Sequence, residues 1–246
     1  MTSNIAVLPM LKQSVKSSPR LTARLAGLLS LLTILAGMFA EMFVSDKLIV
    51  SADAAATATN ILAHKSLFQF GFAAYLIEMT CSIAVVVFFY NLLKPVSRNI
   101  SLLAAFLGLT GCIIKIFSRL FFITPLLILG GGHYLSVFNP EQVQALALLL
   151  LKINVQGAGM ALVFSGFYTL LNGYLILRST FLPRILGVLD IIGGLGWLSF
   201  LYAPLADQLF TYILAFALLG SVVEILWLLV VGVDVPKWEK RAAEAG

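Results

Sequence analysis

Apolar residues run in six long stretches, each separated from the next by a short segment rich in polar residues, glycine or proline. The stretches fall at 21–44, 66–93, 101–129, 147–177, 182–203 and 207–233. They are too long and too little alternating for strands, and each can cross about 30 Å of hydrocarbon at about 1.5 Å per helical residue. In lipid every backbone N–H and C=O needs a partner within the protein, and a helix supplies those partners inside one segment. The pattern therefore predicts an all-α, polytopic membrane protein, a bundle of about six transmembrane helices over 21–233. It is flanked by a basic N-terminal tail at 1–20 and a C-terminal tail at 234–246 that reads as solvated, with Trp238 a candidate interface anchor.

Two connections are more than turns. Residues 45–65 include the small, polar run Ser51-Ala-Asp-Ala-Ala-Ala-Thr-Ala-Thr-Asn60, whose alanines suit a short helix at the outer surface. Residues 130–139 end in a helix start: Asn139 can cap, Pro140 fits the first helical position and Gln142 can complete a capping box. A helix from there to residue 177 would be about 57 Å long, more than the bilayer needs, so its first turns must project, lie along the interface, or bend near Gly157 and Gly159.

Charge sets the expected orientation. Lys12, Lys16, Arg20, Arg24, Lys94, Arg98, Arg178, Arg184, Lys237, Lys240 and Arg241 all fall on one side of a six-span protein. The other side has Lys47 and Lys65 among Asp46, Asp53, Glu141 and Asp207. Basic loops stay in the cytoplasm, so both termini are expected there, and an odd number of spans would scatter the bases over both faces. The apolar run after the N-terminal bases is about 20 residues long, too long for a signal-peptide core, and reads as an uncleaved first span.

Composition agrees: 61% of residues are hydrophobic and 11% charged, against about 25% charged in a soluble domain. The net charge of +5 is explained by loop topology, and no aromatic-basic stripe points to nucleic acid. Cys81 and Cys112 lie inside apolar runs and read as free buried thiols. The two histidines, His64 and His133, are far apart in sequence and lack ligand spacing, so no metal site is expected. Gly193-Gly-Leu-Gly196 has no preceding strand and no lysine, and reads as helix packing, not a nucleotide loop. No catalytic nucleophile with a paired base is indicated, and no cofactor.

Several motifs carry a family likeness: Ala26-Gly-Leu-Leu-Ser30, Ala36-Gly-Met-Phe-Ala-Glu41, Asp53-Ala-Ala-Ala-Thr-Ala58, Asn60-Ile-Leu-Ala63 and Leu93-Lys-Pro-Val-Ser-Arg-Asn99. The most specific are Phe164-Ser-Gly-Phe-Tyr168, Gly173-Tyr-Leu-Ile-Leu-Arg-Ser179 and Leu182-Pro-Arg-Ile-Leu-Gly-Val188. Together they resemble the prokaryotic domain of unknown function 4386, from about residue 24 to residue 233. The resemblance implies a bacterial or archaeal multi-pass protein of the cytoplasmic membrane, and it carries over no activity and no site residues. Lys115, Arg119 and Asp190 lie outside the matching motifs, so any role for them rests on this sequence alone.

Charged side chains within a span cost about 2.5–3.5 kcal/mol each on insertion scales, which makes each a candidate functional residue. By depth, Glu78 and Lys115 fall near the midplane, Glu41, Arg119 and Lys152 in the outer third, and Asp190 and Glu224 in the inner third. Spans two and three are joined by a short loop, so Glu78 and Lys115 can meet as antiparallel neighbours. The plainer reading is a structural ion pair; the sharper one is a charged cavity or proton path. Two bases against one midplane acid leave a positive surplus unless Glu41 reaches Arg119, which suits a small anionic ligand or a lipid. Asp190 and Glu224 have no base at their depth, and one of them could hold and carry a proton at neutral pH. Alternatively, Asp190 snorkels or reaches Arg184 and Glu224 bonds a hydroxyl.

The expected role is non-enzymatic: structural, regulatory or partner-binding, the partners being the bilayer, a second copy or another membrane protein. A small carrier or channel using the buried charges is the alternative, and a lipid-modifying intramembrane enzyme a further one.

Overall fold

The computed structural model describes residues 18–245, without the side chains of Tyr134, Ala203 and Asp207; Lys12 and Lys16 of the basic tail lie outside the described residues. The helices are α1 (Pro19–Leu48), α2 (Ala54–Ala63), α3 (Lys65–Leu93), α4 (Arg98–Leu129), α5 (Pro140–Arg178), α6 (Arg184–Leu201), α7 (Ala203–Val230) and α8 (Val235–Glu244). Among the described residues six helices are long and apolar enough to cross a membrane: α1, α3, α4, α5, α6 and the Gln208–Val230 part of α7. The chain is thus an all-helical, multi-pass membrane protein.

The spans were legible as apolar runs, but their ends were not, because a helix continues until a cap stops it. α1 runs on to Leu48 through a π-helical stretch, Phe39–Ser45. α5 begins seven residues before the predicted span, at Pro140. There the Asn139 side chain accepts from the Gln142 N–H at 2.8 Å and Gln142 Oε1 accepts from the Asn139 N–H at 3.0 Å. α5 then runs unbroken through Gly157 and Gly159 for 39 residues. Its N-terminal half is covered by α2, whose Ile61 shares an apolar cluster with Leu151. Asp53 caps α2 by accepting from the Ala56 N–H at 2.9 Å.

Each span packs against the next in sequence, and α7 packs back on α1, so the six close into a ring. The α5–α6 seam is drawn tight by glycines seven apart on each helix. A β-carbon on Gly173 would lie 2.7 Å from the Gly187 carbonyl oxygen, and one on Gly166 would lie 2.9 Å from that of Gly194. These glycines let two backbones touch, which is how helices associate where lipid offers no hydrophobic drive. Apolar clusters fill both ends of the ring. At the α2 end, Phe68 stacks on Phe122 with centroids 4.4 Å apart, beside Val44, Ile61 and Tyr75. At the α8 end, Ala23, Ala26, Leu92, Ile176, Leu186 and Leu228 form the second cluster.

The C-terminal segment forms a helix in which no residue is buried, as its polarity predicted, but it is docked at one end. Asp234 accepts from the Lys237 N–H at 3.2 Å and starts α8. The Asp234 N–H donates to the Phe181 carbonyl at 3.1 Å, and Trp238 Nε1 donates to the Leu92 carbonyl at 2.9 Å. Trp238 therefore anchors α8 to the end of the bundle, a role its sequence position alone did not distinguish from lipid anchoring.

Candidate functional site

Between the two apolar ends the ring lines a chamber of about 270 Å³. Its walls come from polar or small residues recurring at helical spacing on five helices. α1 contributes Ser30 and Thr33; α3 contributes Glu78 and Ser82; α4 contributes Gly108, Cys112 and Lys115. α5 contributes Ser165 and Tyr168, and α7 contributes Ser221 and Glu224. Stripes of this kind face inward because lipid would leave their hydroxyls and charges without partners.

Glu78 and Lys115 form a salt bridge through Glu78 Oε1. Gly37 makes room for it: a β-carbon there would stand 3.2 Å from the Glu78 carboxyl carbon. Glu78 is 7% exposed, and its second oxygen, Oε2, has no hydrogen-bond partner. The same holds for Glu224 Oε1 and the Tyr168 hydroxyl. Three of the four buried side-chain atoms left unpaired among the described residues therefore belong to residues lining this one chamber. Buried polar atoms are rarely left unpaired, so three of them gathered around one chamber call for an explanation.

A second, smaller chamber of about 110 Å³ adjoins the first. Thr169, Ser221 and Glu224 line both, and Asp190, Gly193 and Trp197 of α6 line the second. The midplane pair and the inner carboxylates, separate clusters by sequence depth, thus share one polar interior. Neither Arg184 nor a hydroxyl is bonded to Asp190 or Glu224 among the described residues.

Arg119 stands elsewhere. One turn beyond Lys115, it is 4% exposed and turned toward the α2 end. Its guanidinium carbon lies 3.5 Å from the centre of the Tyr75 ring, and Nη1 donates to Asn154 Oδ1 at 3.0 Å. The Tyr75 hydroxyl donates to Glu41 Oε2 at 2.6 Å. With its one proton so used, that hydroxyl accepts from Ser45 Oγ at 3.0 Å. Glu41 therefore reaches Arg119 through the tyrosine and not by a direct ion pair. The π-helical stretch of α1 brings both Glu41 and Ser45 to that hydroxyl. Lys152 is exposed on the outside of α5 and lines neither chamber.

This placement removes the surplus of bases expected from the sequence. With Arg119 held at the α2 end, Lys115 is the one base among the chamber walls described, set against Glu78 and Glu224, with Asp190 next door. The positive surplus that suited an anion is not in the chamber. Sequence reasoning also passed over Ser30, Thr33, Ser165 and Tyr168. Their signal was present as polar or small positions at helical spacing, 30, 33, 37 and 41 on α1 and 161, 165, 168 and 172 on α5. Cys112 lines the chamber and Cys81 does not; both are free and buried.

No curated protein and no solved structure matches the chain. A family model, described as Domain of unknown function (DUF4386), matches residues 25–232. That range takes in five of the six spans whole, the first from residue 25 onward, and every residue of both chambers. The chain belongs to the DUF4386 family.

Proposed function

We propose that this protein is a non-enzymatic, solute-binding protein of a prokaryotic cytoplasmic membrane, of the small-carrier kind, and that the chamber is its binding site. The observation that carries the reading is the set of three unpaired buried atoms, Glu78 Oε2, Glu224 Oε1 and the Tyr168 hydroxyl, on residues lining one chamber. A purely structural ion pair accounts for Glu78 and Lys115 but leaves Glu224 and Tyr168 unexplained. Carrier sites lie near the bilayer midplane between helices, and Glu78 and Lys115 fall near the middle of their spans. Arg20, Arg24, Lys94, Arg98, Arg178 and Arg184 all stand at the α8 end of their helices, which favours that end as the cytoplasmic one.

The native cysteines test the chamber. Cys112 and Cys81 are similarly buried, at 8% and 9% exposure, but Cys112 alone borders the chamber. In Cys81→Ser protein a small methanethiosulfonate should modify Cys112 at least about tenfold faster than it modifies Cys81 in Cys112→Ser protein. Equal, negligible rates would mean a dry core and would remove the solute-binding reading. Orientation is tested with a reporter active only outside the cytoplasm: silent when fused after Ala245, active when inserted at Ser136.

A further inference from the structure

The charge and chemistry of the chamber define its ligand more narrowly, an inference that rests on the solute-binding reading above. We infer that the chamber takes a small organic cation bearing N–H donors, an alkylammonium, with the free oxygens of Glu78 and Glu224 as its acceptors. Glu78 is more than nine-tenths buried, borders the chamber, and has Oε1 committed to Lys115 while Oε2 is unpaired. A carboxylate oxygen is an acceptor only, so what is absent at Oε2 is a donor. Glu224 Oε1 repeats the demand from α7. Lys115 is paired with Glu78, so Glu224 stands on the chamber wall with no base beside it. Asp190, lining the adjoining space, likewise has no base beside it.

A buried carboxyl with no base beside it takes up either a proton or a cation, and a bound monocation is what lets Glu224 carry its charge there. Two features separate an organic cation from a metal ion. Among the described residues no three metal-binding side chains converge. The rest of the wall is apolar, including Ile34, Met79, Val85 and Ile225, which suits a short alkyl group. Tyr168, whose hydroxyl is unpaired on the same wall, can accept the remaining N–H.

Cys112, a wall residue one helical turn before Lys115, reports the sign of the potential. In Cys81→Ser protein we expect aminoethyl methanethiosulfonate, a primary ammonium, to react faster than the anionic sulfonatoethyl reagent of similar size. After normalisation to their rates with free mercaptoethanol, the ratio should be at least about fivefold, as one unit charge within a low-dielectric site gives. n-Propylammonium should slow the reaction and propionate should not. Glu224→Gln, which keeps the side chain's shape, should bring the ratio toward one and weaken protection by n-propylammonium. A ratio at or below one, with Cys112 still reactive, overturns the cation inference and leaves the chamber intact. No reaction with either reagent overturns the chamber reading itself. Protection by n-propanol equal to that by n-propylammonium would show an apolar site without charge selection, and also overturns the inference.

Discussion

Gly37 lies beneath Glu78: a β-carbon on the glycine would stand 3.2 Å from the glutamate's carboxyl carbon and 3.3 Å from Oε1, the oxygen paired with Lys115. The contact joins α1 to the α3–α4 ion pair, and it explains why a glycine stands in the middle of an apolar helix, where it costs about 1 kcal/mol relative to alanine. Alanine asks the carboxyl to give by a few tenths of an ångström. Valine cannot be accommodated without turning Glu78 away from Lys115. Gly37→Val should therefore destabilise the protein in detergent by about 1–3 kcal/mol, with Gly37→Ala close to wild type. Thermal unfolding of the two variants decides it; equal behaviour would mean that the glutamate is free to move.

The ion pair has an asymmetric reserve. If Glu78 is lost, Lys115 still shares a chamber with Glu224; if Lys115 is lost, two carboxylates remain there with no base. Arg119 offers no substitute, being held between Tyr75 and Asn154. Lys115→Met should thus cost more than Glu78→Gln, approaching the about 3–5 kcal/mol of a broken buried pair. Thermal stability in detergent is the measure. The opposite order would mean that Arg119, and not Glu224, is the reserve partner, and that the chamber is positive.

Glycine spacing along α5 and α6 makes a paired prediction. A β-carbon on Gly173 meets the Gly187 carbonyl oxygen at 2.7 Å, a backbone atom that cannot turn aside, while one on Gly193 meets nothing within 4 Å. Gly173→Ala should cost about 1–3 kcal/mol by forcing the helices apart. Gly193→Ala should be neutral or stabilising by up to about 1 kcal/mol from helix propensity. Folded yield and unfolding temperature separate them, and a similar loss for both would argue against close α5–α6 contact.

At the α8 end, hydrogen bonds from the Lys237 side chain and then from its backbone N–H hold the Asp234 carboxyl below the usual aspartate range. A carboxylate lowered on folding contributes stability that is present above its unfolded pKa and is lost as pH falls through its folded value. Docking of α8, followed by Trp238 fluorescence in Trp197→Phe/Trp227→Phe protein, should hold from neutral pH down to about pH 4, the ordinary aspartate value, and fail below it. Asp234→Asn keeps an N-cap without a charge and should flatten this pH profile. An unchanged profile would place the titrating group elsewhere.

The sequence by itself determined the class of the protein. Six apolar runs of sufficient length, with bases collected at alternate loops, admit little besides a six-span helical bundle, because lipid leaves an unpaired backbone no other solution. The start of α5 was also written locally, in Asn139, Pro140 and Gln142, since a capping box is satisfied by neighbours in the chain. The antiparallel neighbours Glu78 and Lys115 needed only a short loop to be brought within reach. What the tertiary structure alone decided is which charges share a space. Depth along a helix is one coordinate, and the rotation of each helix about its axis is another that hydropathy does not contain. That rotation carried Arg119 away from Lys115 to Tyr75 and brought Glu224 from another cluster to the wall that Glu78 occupies. Closure of α7 on α1 then turned stripes on separate helices into one chamber. The net sign of that chamber is a sum over helices far apart in sequence, and so it could be read only after they had packed.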